Sequence, residues 1–302
     1  MSKDKYYEFM RSIVAVIPKY TEGKPPKFPF ILGTGFMIDK KGIILTCDHV
    51  AKAINNLYRK ENTTDIPAVC ISFEYSYKKL DKKTEVTIGI KTLPITEIFY
   101  LDNFKYKAPY APPESIKPDI AFLQVGAINL PILKLCNNYF NIIPGNEVYN
   151  LGFPLGNDFM IMRENNNEWI QNFLPIMQNG IISTILPFRC PYPYGFLINI
   201  MVQEGSSGSP LILKHTNEVI GIINSRVYQT IAASENTNLI PTNFSYAICL
   251  KMIPELLDLV KTNSNFKDTS SFEDFNDFQE KSLDPNSDFI LYDYNKSDNI
   301  KS

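Results

Sequence analysis

The apolar runs of this chain are short, and a proline, a glycine or a cluster of polar turn residues closes each one. Runs at 11–17, 30–37, 43–46, 68–75, 85–90, 95–101 and 119–125 fill the first half, and 147–152, 176–185, 196–202, 211–214, 219–225 and 244–248 fill the second. They are rich in Ile, Val, Phe and Tyr and have the length of strands. Only Ile253–Val260 spaces its apolar residues as a helix does, so it reads as a short C-terminal amphipathic helix. A chain punctuated in this way is expected to be all-β. At 302 residues and 44% apolar it can bury one large or two small cores.

Charge and cysteine usage exclude several classes. Residues 263–302 hold nine acidic side chains against four lysines, a net −5, which leaves +3 on the body of a chain whose total is −2. Neither part has a basic stripe with interleaved aromatics, so nucleic acid is not an expected partner. No run of about 18 apolar residues occurs, so no membrane segment is expected. The five cysteines, at 47, 70, 136, 190 and 249, form no CxxC pair. That spacing argues against a disulfide framework and a thiolate metal site, and for a soluble protein of a reducing, cytoplasmic compartment. No metal or cofactor is expected. The acidic tail at 263–302 reads as flexible in isolation, though Phe272, Phe275 and Phe278 are placed to dock on a groove as a short helix.

The chemistry concentrates at Val202-Gln-Glu-Gly-Ser-Ser-Gly-Ser-Pro-Leu211. Two small residues, a serine, a glycine and a proline describe a tight turn that presents one hydroxyl, that of Ser207. The same bend can aim backbone N–H groups at a point beside it, where an oxyanion sits during acyl transfer. Taken alone, such a turn is more often an ordinary loop. It needs a base and an orienting acid, and the chain offers both. His49, one of two histidines, follows a strand and opens a short helical turn at 51–53; His215 lies in a polar turn and reads as surface. Asp119 opens the apolar run to Val125 after a proline-rich connector. Gly33 and Gly35 have no helix behind them, so they mark a bulge or a close backbone approach and not a phosphate loop. Residues 157–177 read as a long polar loop of the functional or mobile kind.

The order His49, Asp119, Ser207 is that of the chymotrypsin-type triad and differs from the orders of subtilisin and the α/β-hydrolases. At this point the chain resembles the trypsin-like serine proteases. The likeness rests on Gly33-Thr-Gly-Phe-Met-Ile, Ile44-Leu-Thr-Cys-Asp-His-Val50, Asp119-Ile-Ala-Phe-Leu-Gln-Val125, Gly205-Ser-Ser-Gly-Ser-Pro-Leu211 and Val219-Ile-Gly-Ile-Ile-Asn224. It spans about 11–262 and is nearest in flavour to the HtrA/Deg branch. The resemblance implies two antiparallel six-stranded β-barrels over residues 1–262, divided near 125–145, with the site between them. It implies Ser207 as nucleophile, His49 as base and then acid, Asp119 as the group that fixes the imidazole, and the N–H groups of Gly205 and Ser207 as oxyanion hole. By motif position Met201 falls at the base of the substrate pocket, with Asn224 and Ser245 on its walls and Arg226 close by. An apolar base favours a medium apolar residue, while Arg226 leaves an acidic residue open, and Met201 has the plain alternative of being core.

The sequence also departs from the family. Ser206 and Ser209 stand where the branch has Asn and Gly; secreted relatives carry at the Ser206 position an Asp that pairs with a newly cut N-terminus, so that pairing is not expected here, nor is a PDZ domain after residue 262. The expected function is a serine endopeptidase acting on protein or peptide substrates, controlled by a protein partner, the 157–177 loop or the tail. The alternatives are a protease-fold binding or scaffold module without turnover, and an esterase or other acyltransferase.

Overall fold

The computed structural model describes residues 3–19, 30–61, 66–80, 83–101, 118–154, 158–162, 167–171, 174–186, 194–233, 236–263, 265–278 and 281–282. The first strands are β1 (Ile13–Pro18), β2 (Gly33–Asp39), β3 (Ile43–Thr46), β4 (Ala68–Leu80), β5 (Lys83–Tyr100) and β6 (Ala121–Val125). They follow one another antiparallel in the order β5-β4-β1-β2-β3-β6, and β6 returns to β5 through the pairs from Ile95↔Val125 to Tyr100↔Ala121. That return closes the sheet into a barrel and removes the edges an open sheet would expose. The short strand β7 (Ala127–Ile128) leaves the barrel, and residues 129–146 cross to the second.

The second barrel takes β8 (Glu147–Gly152), then passes through a hairpin of β9 (Asp158–Met162) and β10 (Asn167–Gln171). It continues with β11 (Ile176–Leu186), β12 (Gly195–Ile198), β13 (Pro210–Leu213), β14 (Glu218–Ala233) and β15 (Asn236–Cys249). The ring β11-β12-β15-β14-β13-β8 is closed. The fold is thus two closed six-stranded antiparallel barrels with a short C-terminal helix, as the resemblance to the trypsin-like proteases implied. The stretch expected as a long loop contains the β9–β10 hairpin instead.

The walls between the barrels explain why the strand runs read as apolar on both faces. Val148, Leu211, Leu213, Ile220 and Ile223 point into the second barrel's own core. Their neighbours Tyr149, Leu151, Ile212, Val219 and Ile222 join the large cluster that fills the first barrel and the seam. Side chains alternate across a strand, so a strand that is both barrel wall and interface must be apolar at every position.

Three helices frame the barrels. The first, α1 (Lys3–Arg11), buries Phe9 and Met10, pairs Arg11 with Glu74 at 2.8 Å and donates the Tyr6 hydroxyl to Pro175 O at 2.9 Å. The motif reading did not anticipate it. The second, α2 (Asp48–Glu61), is far longer than the expected turn at 51–53, because Val50, Ala51 and Ile54 anchor it on the first barrel. The third, α3 (Ile253–Thr262), lies where the periodicity placed it. It buries Ile253, Leu256 and Val260, and its Lys261 pairs with Asp39 of the first barrel at 2.6 Å.

The tail differs most from expectation. Residues 265–278 do not hang free: they form an extended strap on the first barrel. Gln124 accepts from Lys267 N at 2.9 Å and donates to Lys267 O at 3.0 Å. A 3-10 turn at Thr269–Ser271 leads into β16 (Glu273–Asp274), parallel to β7, and β17 (Lys281–Ser282) then pairs with β5. Phe275 is fully buried, and the ammonium of Lys91, a residue only 4% exposed, donates to Phe275 O at 2.7 Å. Apolar burial at Phe275 and backbone pairing on both sides outweigh the tail's charge. The docking uses strand and turn, not the expected helix. Residues 283–302 lie outside the described residues.

Candidate active site

His49 sits in the first turn of α2 directly after β3, so strand and helix together fix its backbone. Asp119 precedes β6, whose pairing with β3 (Thr46↔Ala121) brings it beside His49. Asp119 Oδ1 accepts from His49 N at 2.8 Å, and Oδ2 meets His49 Nδ1 at 2.5 Å. Because the carboxylate only accepts, the network assigns the proton to Nδ1 and leaves Nε2 as the acceptor. Burial opposes the ionised form of Asp119, but the hydrogen bonds and charge of His49, with the Asn224 amide, outweigh it and hold the carboxyl below the usual carboxylate range.

Ser207 comes from the other barrel, in the turn before β13. Three amides of that turn, and two of its carbonyls, are tied down by hydrogen bonds. Ser206 N donates to Gln203 O at 3.0 Å, Gly208 N to Ile223 O at 2.9 Å and Ser209 N to Ser206 O at 3.0 Å. From the first barrel, Thr34 Oγ1 donates to Gly205 O at 2.7 Å and Thr34 N to Ser207 O at 2.8 Å. This is the close backbone approach that the Gly33–Gly35 run suggested. Among the described residues the N–H groups of Gly205 and Ser207 donate to no protein acceptor. Gly208 adopts φ +89°, which brings it against Thr34 and bends the chain so that the Ser207 hydroxyl stands at the barrel contact.

Asn224 links the two halves. Its Nδ2 donates to Asp119 Oδ2 at 2.5 Å, and its backbone O accepts the Ser207 hydroxyl at 3.2 Å. Beyond the pocket position that the motifs suggest for it, Asn224 thus turns its amide onto the carboxylate. The only sequence signal was a polar residue ending the apolar run Val219–Ile223. Thr34 and Asn150, buried polar residues inside apolar strands, carry a similar signal.

The remaining expected pocket residues lie on one side of the second barrel. Ser245 is buried, and its hydroxyl donates to Ile200 O at 2.7 Å and accepts from Val202 N at 3.1 Å, so it ties down the segment that carries Met201. Met201 is 46% exposed, which removes the alternative that it is core. Arg226 Nε donates to Val202 O at 2.9 Å, which fixes the guanidinium next to that segment. His215 is exposed in its turn, as expected.

Cys47, His49 and Asp119 each place one donor atom within 4.8 Å of the others. These atoms do not fit a metal site. Burial pushes the Cys47 thiol well up, helped by the Asp119 charge, so it stays protonated, and its Sγ donates to Ile223 O at 3.2 Å. Asp119 Oδ2 is already occupied from two sides.

Two closed antiparallel barrels, with polar groups of each converging where they touch, define the chymotrypsin-like double-barrel class. The chain matches the trypsin-like peptidase domain over residues 33–222, more than half its length, and belongs to that family. The match includes His49, Asp119 and Ser207 and ends before Asn224, Arg226 and Ser245. No curated protein matches the chain. The family places the protein among the peptidases. Among the described residues no helix is long and apolar enough to cross a membrane.

Proposed function

We propose that the protein is a serine endopeptidase that cleaves protein or peptide substrates through an acyl-enzyme. In this reading His49 Nε2 takes the Ser207 proton as Oγ attacks the scissile carbonyl carbon. The negative charge that develops on the carbonyl oxygen is received by the N–H groups of Gly205 and Ser207. His49 then protonates the leaving amine, and water, activated by the same imidazole, releases the acid product. Asp119 holds the imidazole through Nδ1 and stabilises its charged form. No cofactor or metal takes part in these steps.

The observation that supports the reading most is that the N–H groups of Gly205 and Ser207 find no acceptor among the described residues, while Ser206, Gly208 and Ser209 between and beside them are engaged. Donors fixed before substrate arrives need no reorganisation during the reaction. One observation favours the alternative of a binding module without turnover: the Ser207 hydroxyl rests on Asn224 O and not on the imidazole. At 3.2 Å that bond is long for a hydroxyl donor, and catalytic hydrogen bonds commonly tighten only with substrate bound. The enzyme reading therefore stands first.

Within the family the motifs are nearest to the HtrA/Deg type. A reducing, cytoplasmic setting agrees with Cys47, Cys70, Cys136 and Cys249 being free thiols. For the residue before the scissile bond, exposed Met201 supports a medium apolar side chain, and the anchored Arg226 keeps an acidic one as competitor. Control by a protein partner or the tail is part of the proposal, because the strap grips Gln124 on the strand that Asp119 opens.

The test compares wild type with Ser207→Ala in a proteome digest and with a fluorophosphonate probe. Turnover should fall by about 10⁶-fold and labelling should vanish. The cleaved sites would also decide between apolar and acidic preference. Cleavage unchanged by the substitution, or wild type that neither cleaves nor labels, would reject the proposal.

A further inference from the structure

The Ser207 turn contains a buried side-chain relay that the reaction scheme does not use. Asn150, on β8 and fully buried, donates Nδ2 to Ser209 Oγ at 2.5 Å. Ser209, also fully buried, donates its hydroxyl to Ser206 O at 2.6 Å. The direction of the relay is fixed by proton counting. Asn150 Nδ2 also reaches Pro210 O at 3.4 Å, and a carbonyl can only accept, so the amide nitrogen belongs on this side. With one proton available, Ser209 accepts from Asn150 and donates to Ser206.

Ser206 O belongs to the peptide whose nitrogen is Ser207 N. In a planar trans peptide the C=O and N–H point in opposite directions. Pulling Ser206 O inward therefore presents the Ser207 N–H outward, on the side of its own hydroxyl. The neighbouring peptides are held at both ends: Gly205–Ser206 by Thr34 Oγ1 and Gln203 O, and Ser207–Gly208 by Thr34 N and Ile223 O. The Ser206–Ser207 peptide is held at its carbonyl end alone. A glycine at 209 would keep the backbone bond from residue 209 to Ser206 O but lose the hydroxyl.

The relay is maintained against resistance. It buries two polar side chains and leaves Asn150 Oδ1 without a partner among the described residues, a cost of about 1–3 kcal/mol. It also requires a bare Cα at Gly152, where a Cβ would lie 2.8 Å from Ser209 Cβ. Local rules broken in this way, next to a reactive hydroxyl, point to function.

We propose that Asn150 and Ser209 are positioning residues: together they hold the Ser206–Ser207 peptide so that the Ser207 N–H faces the developing oxyanion. This rests on the endopeptidase reading above. Ser206, buried and with its hydroxyl unpartnered among the described residues, takes no part in the relay through its side chain.

The experiment uses the full chain with Ser209→Ala, Ser209→Gly and Asn150→Asp, a fluorophosphonate burst to count competent sites, and steady-state cleavage of one peptide from the wild-type digest. Asn150→Asp nearly keeps shape but supplies only acceptors, so it draws the Ser209 proton away from Ser206 O. Kcat per titrated site should fall about 10-fold in all three, a part of the 10²–10³ lost when an oxyanion donor is deleted, with KM unchanged. Kcat within twofold of wild type in Ser209→Ala, or a loss carried by KM or by fewer titratable sites, overturns the relay and leaves the endopeptidase standing. Wild type that neither titrates nor cleaves overturns both.

Discussion

Phe275→Ala tests the strap, the part of the molecule furthest from its sequence expectation. The ring is fully buried in the first barrel's cluster, and the Lys91 ammonium lies 4.6 Å from its centroid. Removing a buried phenylalanine ring costs about 3–5 kcal/mol, and a desolvated cation–ring contact adds up to about 2 kcal/mol. The strap is near the end of the chain, however, and can peel away while the barrels stay folded. Once it has left, no further loss accrues, so the measured value is capped by the docking free energy and should fall near about 3 kcal/mol, at the low end for a buried ring. Peeling also releases Lys91 to water, so the stranded-charge penalty does not arise. Hydrogen exchange is the suitable assay because it reads local opening separately from global unfolding. Amides of 265–278 should lose protection by roughly two orders of magnitude, which is about 3 kcal/mol, while β8–β15 amides keep theirs. A loss below about 1 kcal/mol, the scale of an ordinary surface substitution, would refute the argument, as would equal loss of protection in both barrels.

Gly208→Ala should remove fluorophosphonate labelling and lower the melting temperature. The new Cβ would lie 2.0 Å from Thr34 O at a residue held at φ +89°, so the turn must move. Labelling at the wild-type rate would contradict that geometry. Asp119 sets an acid limit on stability. Its folded carboxyl titrates below its unfolded value, so the stabilisation is complete above the ordinary carboxylate range and is lost as pH falls through the lowered folded value. Urea midpoints of wild type and Asp119→Asn should therefore converge as the solution is acidified and separate towards neutrality. A gap that is constant with pH would show that the carboxylate is not held in this way.

Much of this molecule was legible in the chain because much of it is local. Alternation and turn chemistry act within a few residues, so the short runs, the α3 periodicity and the Gly205–Ser209 bend could be read directly. The motifs around His49, Asp119 and Ser207 carry a resemblance to the trypsin-like proteases that implies a double barrel, and the fold agrees. What the residues could not reveal is what depends on partners distant in sequence. Closure of the first barrel is a pairing of β5 with β6, and α2 grows to full length because the barrel beneath accepts its apolar face. Asn224 meets the Asp119 carboxylate at a bulge between Ile223 and Ser225, a contact that the linear spacing does not show. The tail's charge and its phenylalanines are visible in the sequence, whereas the slot that buries Phe275 and supplies Lys91 exists only once the barrel has formed. Short-range preference settled which segments are strands and where the reactive turn lies. Which polar group meets which was decided by tertiary packing, since a hydrogen bond needs its two atoms within about 3 Å and the chain alone does not set that distance.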